Sequence, residues 1–146
     1  MSSPNPASPV SIGQGWHRDP SSSLSLHADA YTQQRWFEAD QQRIIGCTWQ
    51  WLCHSERLRD PGNYVTDTIA TMPIVAIRAA DGVLRCFYNV CKHRAHHLVE
   101  GSGTVNNLVC PYHAWSYDLT GQLKAARHTQ HLADFDLTDI CLDAVP

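Results

Sequence analysis

The sequence predicts a mainly β protein, with one N-terminal helix followed by a small antiparallel β sandwich. Three observations carry that prediction. Short runs rich in β-branched and aromatic residues recur roughly every ten residues, and each closes on Gly, Pro or Asp. Asp81 and Gly82 form a strong hairpin signal. Two loops of matching chemistry, each with one Cys and one His, interrupt the strands and are expected to lie side by side at one end of the sheets.

Residues 1–30 are punctuated by Pro4, Pro6, Pro9 and Pro20 and are rich in serine. Such a stretch buries too little apolar surface to offset its ordering cost, so it is expected to be a flexible arm, with Trp16 a candidate docking residue. Residues 31–46 read as a helix leading into the sheet domain. Thr32 is the expected N-cap, residues 33–45 run without Gly or Pro, and Gly46 stands at the expected C-cap. Trp36, Phe37, Ile44 and Ile45 fall on one side of it, with Glu38, Asp40, Gln41, Gln42 and Arg43 mostly on the other.

Residues 47–146 form the expected sheet domain. Its strands are expected over 48–53, 64–69, 73–77, 83–90, 106–109, 114–119 and 122–124. Pro61, Gly62 and Asn63 make a turn, Gly101, Ser102 and Gly103 break the path, and Thr120 and Gly121 turn the chain back. The strand at 83–90 runs straight into Cys91, and the one at 106–109 feeds Cys110. No internal repeat is evident.

The chemistry sits in Cys91 and His93, spaced C-x-H, and in Cys110 and His113, spaced C-x-x-H, with sixteen residues between His93 and Cys110. Each loop offers one soft thiolate and one imidazole. A [2Fe–2S] cluster with mixed ligation takes two Cys on one iron and two His on the other. The short spacers let each loop send its Cys to one iron and its His to the second. A structural zinc also accepts two Cys and two His, but zinc fingers usually pair Cys with Cys and His with His. A disulfide with two unrelated His is a third reading, and nothing else here suggests secretion. The remaining cysteines, at 47, 53, 86 and 141, read as small buried hydrophobes in a reducing compartment.

The words FYNVC at 87–91 and CPYHAW at 110–115 resemble the large subunits of Rieske non-haem iron oxygenases. The resemblance covers residues 24 to 146, about the first third of such a subunit. It implies a Rieske-type antiparallel sandwich with two cluster-binding loops, holding a 2Fe–2S cluster on Cys91, His93, Cys110 and His113. It also implies that Arg94 supports the cluster environment and that Trp115 and Tyr117 shield it from water. The family usually has Gly where this chain has Ala95, which bears on how tightly the first loop turns. As partners it implies a reductase or ferredoxin as electron donor and a mononuclear Fe(II) domain, in a neighbouring subunit, that activates O2. That domain, with its D-x2-H-x4–5-H motif, is expected to be missing here, together with the closing strand of the sheet, leaving an unpaired edge and poor solubility. No catalytic residue is therefore assigned. Within the family, the run from FYNVCKHRAHHLVEG through CPYHAWSYDLTGQL is most like enzymes that oxidise carnitine, choline or glycine betaine, monooxygenases that share their skeleton with the aromatic-ring dioxygenases. A stand-alone Rieske ferredoxin, carrying electrons with no substrate, is the alternative.

Imidazole ligands matter because all-thiolate plant-type clusters sit near about −400 mV, whereas Rieske centres span about −150 to +300 mV. Neutral imidazole places less negative charge on the cluster, so the added electron is better tolerated. A shift of roughly 250 mV corresponds to about 6 kcal/mol for one electron, enough to decide which donors reduce it. His96 and His97 read as surface or interface residues. His128, His131 and Asp134 have the composition of a 2-His-1-carboxylate site, but not its expected place in the chain.

The formal net charge of −3 and 17% charged residues give no case for nucleic acid or an anionic membrane as partner. No run approaches the ~18 apolar residues of a membrane span, and no signal peptide is visible. Cytoplasm is the expected compartment.

Overall fold

The structure, a computed structural model, describes residues 15–129 and 131–146. Of the arm expected over residues 1–30, residues 1–14 lie outside them. Backbone contacts divide the chain into two compact units, Met1–Trp49 and Gln50–Pro146.

In the first unit, a 3-10 turn at Pro20–Ser22 is capped by the Asp19 carboxylate, which accepts from the Ser21 N–H. Two helices follow, α1 (Asp29–Thr32) and α2 (Gln34–Arg43). The expected single helix is thus interrupted, and both expected caps are corrected. Thr32 ends α1, where its hydroxyl donates to the Ala28 carbonyl, and Gln33 caps α2 with no side-chain hydrogen bond. Gly46 lies inside a 3-10 turn at Ile45–Cys47, past the α2 C-cap at Ile44. Phe37 and Ile44 are exposed and Trp36 is half-buried beneath the Arg35 guanidinium.

In the second unit, β1 (Asn63–Ile69), β2 (Met72–Arg78), β3 (Leu84–Tyr88) and β4 (Ser102–Thr104) form an antiparallel sheet in the order β3-β2-β1-β4. β5 (Leu108–Val109), β6 (Ser116–Tyr117) and β7 (Leu123–Ala125) form a second antiparallel sheet. The mainly β architecture of antiparallel sheets expected from the sequence is observed. Two details differ. Residues 48–53 form no strand; Trp49 and Trp51 are 99% and 81% exposed, so no partner face sets an alternating pattern. Residues 102–104, expected as a break, pair with β1 from Val65↔Ser102 to Asn63↔Thr104. Gly103 suits that place, since a Cβ there would press on the Tyr64 ring.

β2 is the centre of the core because neighbours cover both of its faces. Val75 and Ile77, with no exposure, pack with Phe87, Leu108, Tyr117, Leu123 and Leu142. Ala76 faces the other way, onto Leu58 and Val65, as the two-residue side-chain period of a strand requires. The β2–β3 hairpin closes through Gly82, at φ +77, whose N–H donates to the Ala79 carbonyl. Asp81 holds that turn by accepting from the Val83 N–H and from two Arg85 nitrogens at 2.8 Å each.

The edge of β3 is partly covered by the last residues. The N–H of Tyr88 donates to the Asp143 carbonyl and that of Val145 to the Cys86 carbonyl, so the last residues run along β3. The same segment reaches the second sheet, where Leu123 N–H donates to the Ile140 carbonyl and Leu142 N–H to the Gly121 carbonyl. Of the four cysteines outside the loops, Cys53 and Cys86 are half-buried, whereas Cys47 and Cys141 are exposed. The expectation that all four are buried fails for the last two: Cys47 ends the exposed 3-10 turn at Ile45–Cys47, and Cys141 lies in a bridge with one open side.

Candidate metal centre

The strand β3 runs through Asn89 into the first Cys/His loop, and β5 runs into the second. Both loops wrap in one way. Cys91 accepts at its carbonyl from the Ala95 N–H and donates its own N–H to the His96 carbonyl. Cys110 accepts from Ala114 and donates to Trp115. Each wrap closes on an alanine in the left-handed region, Ala95 at φ 53 and Ala114 at φ 57. The methyl that distinguishes Ala95 from the usual Gly therefore does not open the turn; it places an ordinary residue in a conformation that costs it roughly 1 kcal/mol.

This common wrap puts the two cysteines inward and the two histidines outward. Cys91 and Cys110 are each 2% exposed, and both are free thiols. The His93 and His113 rings meet edge to face with centroids 4.7 Å apart. His93 is exposed, and the Trp115 indole stacks on it at 4.7 Å, only 7° from parallel. His113 is half-buried beneath Tyr112, whose ring centroid lies 3.8 Å away. Phe135 packs edge-on against Trp115.

The electrostatics suit neutral imidazole and buried sulfur. Burial, then the neighbouring His93, Arg94 and His128, hold His113 below its ordinary range, which favours the neutral ligand form. Burial pushes the Cys91 thiol up. Burial, followed by the Cys91 sulfur, raises Tyr117 as well and keeps its phenol protonated. The Tyr117 oxygen lies 3.3 Å from the Cys91 sulfur and accepts from the Lys92 N–H at 3.0 Å.

A [2Fe–2S] cluster fits these residues. The His113 Nδ1 is buried with no hydrogen-bond partner, a vacancy that a buried polar atom rarely tolerates and that a metal bond would fill. Among the described residues, no three His, Cys, Asp or Glu side chains converge on one ion position. His128, His131 and Asp134 likewise form no such group; His128 instead faces His113 electrostatically, at a backbone φ of 64°. His96 and His97 are exposed.

A family model described as the Rieske [2Fe-2S] domain matches residues 48–136. The chain belongs to the Rieske [2Fe–2S] domain family. Among curated proteins, this Rieske chain is 44% identical over 107 residues to the carnitine monooxygenase oxygenase subunit of Acinetobacter baumannii, covering 73% of this chain and 29% of that protein. It is 40% identical over 124 residues to the glycine betaine monooxygenase oxygenase subunit of Pseudomonas aeruginosa, covering 84% of this chain and 29% of the relative. Its fold matches the crystal structure of the quaternary ammonium Rieske monooxygenase CntA in complex with L-carnitine, with a TM-score of 0.75 and 39% identity over 80% of this chain and 33% of the other. The chain thus spans roughly a third of the length of the curated relatives it matches. A Rieske domain implies a 2Fe–2S cluster, as expected from the two loops.

Sequence reasoning named Arg94, Trp115 and Tyr117 around the four candidate ligands but missed Asn89 and the partner of Lys92. Asn89, buried in the core, accepts from the Leu98 and Val99 N–H groups and donates to the Val99 carbonyl, clamping the far end of the first loop. A lone amide between an aromatic strand and a ligand cysteine was its only signal. The ion pair of Lys92 with Asp143 joins residues 51 apart, and no spacing rule reaches that far.

Proposed function

We propose that Cys91 and Cys110 hold one iron, and His93 and His113 the other, of the [2Fe–2S] cluster of a Rieske non-haem iron oxygenase large subunit. In this reading, residues 47–146 are the Rieske domain, preceded by an arm over 1–30 and the helical segment 31–46. The domain passes electrons from a reductase or ferredoxin to a mononuclear iron domain in a neighbouring subunit, in the cytoplasm, for the oxidation of quaternary amines. The substrate class is supported by the carnitine and glycine betaine relatives. No helix among the described residues is long and apolar enough to cross a membrane.

The observations that support the ligand assignment are the two buried thiols and the two imidazole rings in edge-to-face contact, one of them with an unpartnered buried nitrogen. When bound there, the cluster supplies a site that accepts and releases one electron. The protein's own groups do the rest. Cys91 and Cys110 keep the sulfur side away from water. His93, exposed at the surface, puts the imidazole side within reach of a redox partner. Trp115 fixes the plane of the His93 ring by stacking on it. The protonated Tyr117 hydroxyl faces the Cys91 sulfur, where a hydrogen bond favours added negative charge.

Anaerobic reconstitution with iron and sulfide is expected to give a red-brown protein with the low-average-g EPR signal of a Rieske centre on reduction. Cys91→Ser and Cys110→Ser are expected to abolish that signal, and His96→Ala and His97→Ala to keep it. Colourless protein holding one zinc per chain after the same treatment sinks the assignment. Loss of the spectrum in either of the last two variants shows that the imidazoles were wrongly chosen.

A further inference from the structure

The segment at the end of the chain joins three parts of the domain. Its Ile140 carbonyl and Leu142 N–H bond to the second sheet, and its Asp143 carbonyl and Val145 N–H bond to β3 in the first. At the crossing between the sheets, the Asp143 carboxylate meets the Lys92 ammonium. Lys92 stands between two candidate ligands, Cys91 and His93. Its backbone N–H donates to the Tyr117 oxygen, and that oxygen lies against the Cys91 sulfur.

This arrangement has a direction. The Tyr117 oxygen already accepts from Lys92, so its own proton is free to point at Cys91. If the Cys91–Lys92 peptide turns away, Tyr117 loses the donor that orients it. The side chains of Lys92 and Asp143 are 32% and 67% exposed, so the pair itself contributes little to folding. Its effect is on orientation.

We propose that Lys92 and Asp143 are positioning residues. By tying the first ligand loop to the terminal segment, their ion pair keeps the Lys92 N–H on Tyr117 and hence the Tyr117 proton on the Cys91 sulfur. This proposal rests on the ligand assignment above. It differs from a direct effect of two nearby charges. Loss of a cation by itself lowers the reduction potential and loss of an anion by itself raises it. Loss of the tie lowers it in both cases, because the sulfur gives up a hydrogen bond that favours the reduced state.

The test uses residues 1–146, with Lys92→Met, Asp143→Asn and the swap Lys92→Asp with Asp143→Lys. Each is also made in a Tyr117→Phe background. Midpoint potentials are read on the reconstituted protein, and exchange of the Lys92 amide hydrogen on the metal-free protein, with far-UV circular dichroism to confirm folding. Both single variants are expected to lower the potential and to speed Lys92 amide exchange several-fold. The swap is expected to recover the exchange protection. In the Tyr117→Phe background only the direct charge effects are expected to remain, so Asp143→Asn no longer lowers the potential and Lys92→Met lowers it less. Shifts of opposite sign with Tyr117 in place, additive shifts in the Tyr117→Phe background, or unchanged Lys92 exchange overturn the proposal. A folded, reconstituted native protein with no Rieske signal overturns the ligand assignment instead, and that missing signal tells the two failures apart.

Discussion

Tyr117 has no exposure, and its hydroxyl meets both the Cys91 sulfur and the Lys92 N–H. Removing the oxygen alone leaves the ring to fill the core but takes a donor from the Cys91 sulfur and an acceptor from Lys92. Tyr117→Phe is therefore expected to retain the cluster and lower its midpoint potential by tens of millivolts, at about 59 mV for each 1.4 kcal/mol of lost preference for the reduced state. Redox titration of the EPR signal checks this, and an unchanged potential would show that the hydroxyl points elsewhere. The two left-handed alanines invite a second change. Ala95→Gly and Ala114→Gly relieve a conformation that an L side chain resists, and each is expected to stabilise the metal-free protein by about 0.5–1 kcal/mol. Denaturant unfolding measures it; a loss of stability would mean that the methyl groups pack better than the backbone strains. Both positions were identifiable in the sequence only in part. Tyr117 was expected near the cluster as a shield, but the partner of its hydroxyl depends on where Lys92 sits. Ala95 stood out as a departure, yet its positive φ becomes visible only once Cys91 and His96 are bonded across it.

At the scale of elements, the β2–β3 hairpin carries a pH-sensitive contact. The two Arg85 hydrogen bonds, aided by the Val83 N–H, hold Asp81 down at about 2, below its ordinary value of 3.8. A carboxyl depressed on folding adds stability above its unfolded pKa, and that stability is lost as pH falls through the folded one. Asp81→Asn is thus expected to destabilise the protein at neutral pH, with the difference from the native chain shrinking between pH 4 and pH 2. Urea midpoints at several pH values follow it, and a difference that does not vary with pH would assign the effect to the turn backbone instead. This hairpin was legible in advance because Asp81 and Gly82 specify a turn locally. The strand expected at 48–53 was not a strand, because aromatic content signals β structure only when a sheet offers a face to pack on. Residues 102–104 carry two small side chains around a glycine and look like a break. They become β4 because the edge of β1 supplies the hydrogen bonds and the Tyr64 ring the packing.

For the whole molecule, the described residues bring together one pair of thiols and one pair of imidazoles but no third centre of three ligating side chains. Residues 1–146, given NADH and a competent reductase, are expected to take up electrons without substrate-coupled oxygen consumption. Oxygen uptake and product formation with carnitine, choline or an aromatic acid measure it. Consumption well above autoxidation would point to a second iron site, with His128 and His131 the first candidates.

By itself, the sequence determined the two Cys/His loops, the hairpin chemistry at Asp81 and Gly82, and the strand at 64–69 that the structure shows as β1. Each of these is a short-range property, set by ligand spacing, turn preference or side-chain period. Only the tertiary structure decided that the thiols face inward and the imidazoles outward, that Tyr117 serves Cys91, and that the end of the chain covers β3 and reaches Lys92. Those features join residues 26, 51 and more positions apart. Their pairing is set by how two sheets close over one core, which no local pattern encodes.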